Sequence, residues 1–487
     1  GVVAVDRPAK PECGPADPLL LQPAETNMNT GFRGAVAILA VASPCLAAAD
    51  AAPATLDPVV VTGSRVDHGS FDLPGAVDVV DAGRIGADNA RVNVSEALAA
   101  VPGISVQNRQ NYAQDLQISS RGFGARTAFG VRGIRLMSDG IPASMPDGQG
   151  QAATFNLDRA DRIEVMRGPM SAIYGNHSGG VIQLFTVDGK DPPSVEARIS
   201  AGSYGTWKAD LAEQGRAGEV GYVLDASRFA TDGYREHSAA DRDQSLAKLT
   251  YAPDGETRVM LIANGFSQQA LDPQGTTWKR FTTDPRSVEE AALLYNTRKS
   301  IDQLQGGASY ERRFGEDIVQ IMVYAGQRSV TQFQSIPRAL QLITGSTPAD
   351  DPKRRQSGGV IDFDRDFSGL SARWIGRYDL GGGRLTATVG FDYERASDDR
   401  RGYENFVGQT LGVKGALRRD EVNSATSFDQ YIQAEWLIGQ WSMTGGLRHS
   451  NATYKVVDNY VTDGNQDDSG TITYNNTAPL LAGRSTA

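Results

Sequence analysis

The sequence predicts an α+β domain followed by an antiparallel transmembrane β-barrel, and three observations carry that prediction. From about Val195 onward the chain alternates apolar and polar residues with period two, run after run. Each run is about ten residues long, enough for a tilted strand to cross a bilayer. The connections between runs alternate between tight turns and long polar stretches, as barrels do with their periplasmic turns and outer loops. Ahead of the runs lie short apolar segments, frequent turns and one helix signal, the grammar of a small mixed domain.

The first element is an address. From Met28, "MNTGFRGAVAILAVASPCLAAAD" offers Arg33 as a positive start, an apolar run from Gly34 to Leu46, and Ala47 and Ala49 as a small-x-small cleavage pattern. Residues 28–49 therefore read as a signal peptide cut near Ala49, and residues 1–27 as an upstream, non-native extension. The apolar run is well short of the roughly 20 residues of a membrane helix. Cys45 makes no lipoprotein site, because Pro44 stands where a small residue is needed. Residues 50–66 form a periplasmic segment, 67–190 the α+β domain and 191–487 the barrel portion.

Within the α+β domain, "NVSEALAAVPGISV" reads as a helix with Asn93 as N-cap, Glu96 at the third helical position and Pro102-Gly103 as the stop. "LQISSRGFG", "IRLMSDGIP" and "RIEVMRGP" are strands ending in turns. In the barrel portion, "LTATVGFDYE" sets Leu385, Ala387, Val389, Phe391 and Tyr393 on one face and Thr386, Thr388, Asp392 and Glu394 on the other. Tight turns fall at 215–220, 252–257, 313–318, 379–384 and 438–440, and long polar stretches at 229–244, 267–303, 328–367, 396–427 and 452–475. That pattern amounts to about twelve strands. The final "NNTAPLLAGRSTA" does not read as a closing strand. Lipid does not tolerate an open sheet edge, so the sequence reads as part of a larger barrel or as a very small one.

Composition excludes several classes. A net charge of −10 over 487 residues argues against a nucleic-acid partner. The only cysteines are Cys13 and Cys45, and His68, His177, His237 and His449 are too far apart to share a metal, so no zinc site is expected. There is no nucleophile elbow or phosphate loop, and His177 beside Ser178 makes no nucleophile–base pair. No enzyme, cofactor or metal site is expected.

The decisive stretch is "RIEVMRGPMSAIYGNHSGGVIQLFT", residues 162–186. Gly168, Gly175, Gly179 and Gly180 permit close backbone approach, and Pro169 fixes a turn. Such residues suit a strand-rich disc fitted into a barrel lumen. The stretch resembles the plug hallmark of TonB-dependent outer-membrane receptors. "ISSRGFG" (118–124) and "SDGIP" (138–142) resemble two further plug motifs, and "DPVVVTGSR" (57–65) resembles the energy-coupling TonB box.

The resemblance implies a plug domain followed by part of a barrel, since family barrels have about 22 strands. It also implies an outer-membrane location and energised uptake of a scarce ligand, a ferric siderophore or other iron chelate. The alternatives are the same transport machine with another cargo (cobalamin, copper or an oligosaccharide), or a truncated receptor fragment without function. A passive pore is argued against by the plug and the coupling box. The implied partners are the TonB energy-coupling protein, outer-membrane lipid and the chelate.

Pro58, Val59, Val60, Val61, Thr62 and Gly63 are the coupling box, strand-forming, unpaired locally and suited to strand addition. Arg121 and Arg167 are the plug arginines that the resemblance pairs with barrel glutamates. The plug apices 122–133 and 144–151 offer Arg126, Arg132, Asp147, Gln149 and Gln151 as ligand contacts. Met137, Met145, Met166, Met170 and His177 read as packing residues, with a soft copper site as the alternative. "DGNQDDSGTITY" (463–474) lacks the glycine and glutamate of a calcium loop, having Asp468 and Tyr474 instead. Trp278, Phe281, Phe333, Tyr403 and Phe406 are loop aromatics able to stack on a ligand.

Overall fold

The computed structural model describes residues 60–61, 68–69, 75–86, 89–127, 130–168, 174–175 and 177–485. The chain divides into two units, Gly1–Leu56 and Asp57–Ala487. The first, with the predicted signal peptide and both cysteines, lies outside the described residues. Everything below concerns the second.

The α+β domain holds β1 (Val60–Val61), β2 (His68–Gly69), β3 (Ala76–Asp81), α1 (Ala82–Gly86), α2 (Ser95–Leu98), β4 (Ile104–Gln107) and β5 (Gln117–Ser120). Next come β6 (Val131–Arg132), β7 (Arg135–Ser138), β8 (Ile141–Pro142), β9 (Gln149–Gly150), β10 (Ala160–Arg167) and β11 (Val181–Thr186). A five-stranded sheet runs β3-β10-β11-β7-β8, with β11 and β7 parallel and the other pairs antiparallel. Its hydrophobic core is one cluster in which Leu98, Ile118, Ile134, Leu136, Phe155 and Ile163 are fully buried. Burying each such side chain stabilises the domain by about 1.5–3 kcal/mol.

The predicted helix is short, and its start differs from expectation. The residue before it is Val94, and no side chain caps it. Instead the Glu96 carboxylate accepts from the backbone N–H groups of Arg91 (2.7 Å), Val92 (3.0 Å) and Asn93 (2.8 Å). The acidic half of a capping box is present without its polar N-cap partner. The helix stops at Leu98 with Ala99 as its C-cap, short of the expected Pro102-Gly103, and Gly103, at φ +75°, turns the chain into β4. Gly180 answers for one glycine of the hallmark stretch: it has φ +127°, and a Cβ there would stand 2.4 Å from the Met166 carbonyl oxygen. Only glycine joins β10 to β11 so closely.

Residues 194–485 form one twelve-stranded antiparallel sheet. Its strands are β12 (Ser194–Ala201), β13 (Trp207–Ala217), β14 (Val220–Thr231), β15 (Ala240–Tyr251), β16 (Thr257–Leu271) and β17 (Arg298–Phe314). They continue as β18 (Asp317–Phe333), β19 (Val360–Leu380), β20 (Gly383–Tyr403), β23 (Leu417–Ile438), β24 (Trp441–Asp458) and β25 (Gly470–Ser485), with the small hairpin β21 (Phe406–Val407) and β22 (Thr410–Leu411) between. Every strand pairs with the next in sequence. Along β15 the alternation is complete: Arg242, Gln244, Leu246 and Lys248 are buried, while Asp241, Asp243, Ala247 and Leu249 are exposed. The exposed face carries Tyr251, Tyr310, Phe314, Tyr378 and Trp441 near the short turns, the aromatic belt expected where strands enter a bilayer. No helix among the described residues is long and apolar enough to cross a membrane.

Two expectations need correction. The polar stretches are not all loop, because strands run on through them; the connections shrink to 232–239, 272–297, 334–359, 404–416 and 459–469. Ladder hydrogen bonds do not require apolar side chains, so hydropathy marks only the part of a strand that meets lipid. The final residues, which do not read as a closing strand, form strand β25 antiparallel to β24. β25 pairs with β24 and not with β12, so the sheet of the described residues is open. The plug and a partial barrel are both present.

Candidate functional site

The functional geometry is the seam between the plug and the inward face of the sheet, where ion pairs lie beside apolar contacts such as Ile141 against Val223, Leu246 and Ile262. Arg159, buried just before β10, meets Asp210 of β13 at 3.0 Å, Asp225 of β14 at 3.3 Å and Glu196 of β12 at 3.2 Å. Lys208 of β13 binds both oxygens of Asp158 at 2.8 and 2.6 Å. Burial pushes the Asp158 carboxyl up, and Lys208 pulls against that. Lys248 of β15 donates to Asp139 at 3.4 Å and to the Thr186 carbonyl at 2.9 Å. Lys299 of β17 pairs with Asp115 at 3.1 Å, and Asn111 donates to Asp272 at 2.8 Å. Across the lumen, Arg135 of β7 forks onto both oxygens of Glu394 in β20.

Buried ion pairs return little net stability, because each ion loses its hydration. The apolar contacts beside them, Ile141 with Val223, Leu246 and Ile262 and Met145 with Phe367, are those of a protein core. Together they seat the plug in one position.

The candidate residues fall as follows. Arg167 does not reach the barrel: its guanidinium binds Asp78 of β3 and the Pro102 carbonyl, inside the plug. β3 runs antiparallel to β10 with Val165 opposite Asp78, so the nearest carboxylate belongs to the plug itself. Arg121 is exposed at φ +49° and has no ion pair among the described residues. The arginines that do reach barrel carboxylates are Arg135 and Arg159. Arg135 had a readable signal: it sits between the buried Ile134 and Leu136, where a cation needs an anionic partner.

The structure brings four of the five ligand candidates together. Arg132 in β6 faces Gln149 in β9, and the Asp147 carboxylate accepts the Gln149 N–H at 3.0 Å. Gln151 accepts from Arg328 of the barrel at 3.3 Å, which makes it part of the seam. Arg126 is exposed on the neighbouring 121–127 turn.

Of the loop aromatics, Phe406 is buried beneath Arg338 (5.1 Å) and Phe333 beneath Arg298 (3.5 Å), while Tyr403 faces Lys414. Trp278 and Phe281 remain exposed, their rings 5.6 Å apart. Met137 and Met166 pack in one cluster with Tyr174 and Val181, and Met145 packs elsewhere with Phe367 and Ala396, so these methionines are packing residues. Met170 lies outside the described residues. Asp158, Asp210 and Asp225 are the one metal-like carboxylate group among the described residues, and Lys208 and Arg159 are already bonded to it. The 463–474 segment is partly strand β25 and forms no such group.

In the coupling box, Val60 and Val61 form β1, paired with Gly69 and His68 of β2, which corrects the expectation of an unpaired segment. Among the described residues β1 and β2 form a sheet of their own, so each keeps a second edge there. Pro58, Val59, Thr62 and Gly63 lie outside the described residues.

Residues 70–181 match the family model described as the TonB-dependent Receptor Plug Domain. The chain carries the plug of a TonB-dependent receptor. The hemin receptor of Yersinia enterocolitica is 22% identical over 78% of this chain and 59% of its own length. The vitamin B12 transporter BtuB of Vibrio vulnificus (strain CMCP6) is 21% identical over 84% of this chain and 59% of its own. Among solved structures, the unliganded ferric citrate transporter FecA superposes with a TM-score of 0.68 at 21% identity, covering 88% of this chain and 63% of that one. At that identity the likeness is one of fold. The chain spans about three-fifths of the curated relatives it matches.

Proposed function

We propose that this chain belongs to an energised outer-membrane receptor that takes up a scarce metal chelate, with a ferric chelate as the cargo. The observation that carries the reading is the charged seam: a plug domain seated in a sheet by ion pairs, preceded by a short strand with a free edge. Strand addition by the TonB energy-coupling protein at β1 gives a handle on the plug. A cavity of about 650 Å³ lies between the plug and strands β15–β20 toward the short-turn end, lined by Arg258, Lys248 and Arg373. It supplies space on the periplasmic side for a passage once the plug moves. Among its relatives are receptors for hemin and a vitamin B12 transporter, so cobalamin is the second cargo class.

The test is uptake of radiolabelled ferric citrate, hemin and cobalamin by cells expressing the receptor, before and after a protonophore collapses the proton gradient. Uptake of one cargo is expected to stop. Continued uptake would make the protein a passive pore.

A further inference from the structure

Three carboxylates and two cations meet in the seam just before β10, and their charges do not balance. Asp158 and Arg159 come from the plug, Lys208 and Asp210 from β13, and Asp225 from β14. All five are buried. Lys208 is committed to Asp158, bonding both of its oxygens. Arg159 Nη2 donates to Asp210 Oδ1 at 3.0 Å. At the rim, Glu196 accepts from Arg159 Nη1 at 3.2 Å and from Arg198 at 2.7 Å, so Glu196 and Arg198 cancel. Arg91 donates to the Asp158 carbonyl at 3.3 Å and bonds none of these carboxylates among the described residues. One negative charge is left over among groups that water does not reach.

The surplus sits between Asp210 and Asp225. Their side chains are 1% and 0% exposed and lie within hydrogen-bonding reach of each other. Asp225 Oδ1 accepts from Asn156 at 2.7 Å, while Asp225 Oδ2 and Asp210 Oδ2 are buried with no donor among the described residues. Arg159 Nε stands 3.3 Å from Asp225 Oδ2 without donating to it. Two carboxylates are acceptors only, so they bond each other when one of them carries a proton. No other neighbour supplies a donor. Asp225 faces Ala212 on β13 and Leu246 on β15, Ser227 on its own strand turns to Asp158, and Lys248 is held by Asp139 and Asp188.

We propose that Asp210 and Asp225 share one proton while the plug is seated, so that the pair carries a single negative charge balanced by Arg159. Asn156 and Arg159 belong to the plug and leave with it. The pair then opens to water and gives up the proton. Because the proton is held only in the seated state, the seat is firmer in acid and weakens as pH rises. This linkage goes beyond the uptake reading and is the same for any cargo.

The experiment is hydrogen exchange of the β10 and β11 amides in the solubilised receptor, with wild type and variants compared at each pH. Asp225→Asn sets a neutral group of the same shape beside Asp210, so its protection should match wild type in mildly acidic buffer. As pH rises, wild type should lose protection relative to Asp225→Asn, which has no proton to release. Asp210→Asn combined with Asp225→Asn leaves Asp158 alone against two cations, and exchange should quicken by more than about a hundredfold. The infrared spectrum of wild type should show a carboxylic-acid C=O band that shifts in heavy water and is lost in Asp225→Asn.

Exchange about a hundredfold faster in Asp225→Asn than in wild type, already in acid, would overturn the proposal, because Asp225 would then be an ionised partner of Arg159. Misfolding of Asp225→Asn would overturn it as well, since a neutral group of that shape is what the shared proton provides. A ratio of wild-type to Asp225→Asn exchange that stays constant with pH would do the same, as would a wild-type spectrum without the band. Protection that depends on added calcium or magnesium would place a metal ion where the proton is assigned, and the proposal would fall.

Discussion

Arg135→Ala is expected to loosen the plug in its seat by about 3–5 kcal/mol, the cost of leaving a buried carboxylate without its cation. The side chains of Arg135 and Glu394 keep only 9% and 11% of their exposure, so Glu394 cannot turn to water in compensation. Hydrogen exchange of the β7 and β11 amides in the solubilised receptor should quicken by more than about a hundredfold. Replacing both partners by apolar residues, Arg135→Met with Glu394→Leu, should restore most of that protection, because the desolvation of two ions is removed with their attraction. If the single substitution leaves exchange unchanged, the pair does not hold the plug.

Lowering pH should weaken the plug through His177. Its ring is 2% exposed, Nδ1 faces the Tyr174 carbonyl at 3.3 Å, and Nε2 is buried without a partner among the described residues. Burial first, then the nearby Arg135 and Arg448 cations, lower its pKa from 6.5 to about 3, against a raising contribution from the Tyr174 carbonyl. Above pH 6.5 the ring is neutral folded or unfolded and pH has no leverage through it. Between about 6.5 and 3 the unfolded chain binds a proton that the native plug refuses, so stability falls with pH by about 1.4 kcal/mol per unit. The carboxylates of the seam titrate in the same range, so the quantity to measure is the difference between wild type and His177→Gln. Denaturant midpoints of the two should diverge as pH drops below 6.5 and stay parallel above it. Parallel curves throughout would show that His177 accepts its proton in the folded plug.

Sequence and structure diverge for physical reasons visible at single residues. The twelve strands and their short and long connections were legible because lipid on one face and polar lumen on the other impose a strict period of two. The lengths of β19, β20 and β23 were not, since beyond the bilayer the ladder continues with Asp399, Arg401 and Asp420 facing out. The hallmark glycines were legible: Gly180 stands where no Cβ fits. The partners of the arginines were not, because pairing is a matter of which strands are neighbours in space. Arg167 is bonded to Asp78, 89 residues earlier, and Arg135 to Glu394, 259 residues later. Alternation alone marks Lys208, Lys248 and Asp225 as inward charges, and inward charges opposite a plug need plug partners.

The central claim is that force on the segment before the plug, and not simple diffusion, moves the cargo. Val60→Pro tests it most directly, since proline removes a backbone donor from β1 and fixes its φ, disabling strand addition there while leaving the seam untouched. Cells carrying this variant should bind the radiolabelled chelate as tightly as wild type, and their uptake should fall to the level of cells without the receptor. Uptake at the wild-type rate would contradict the account.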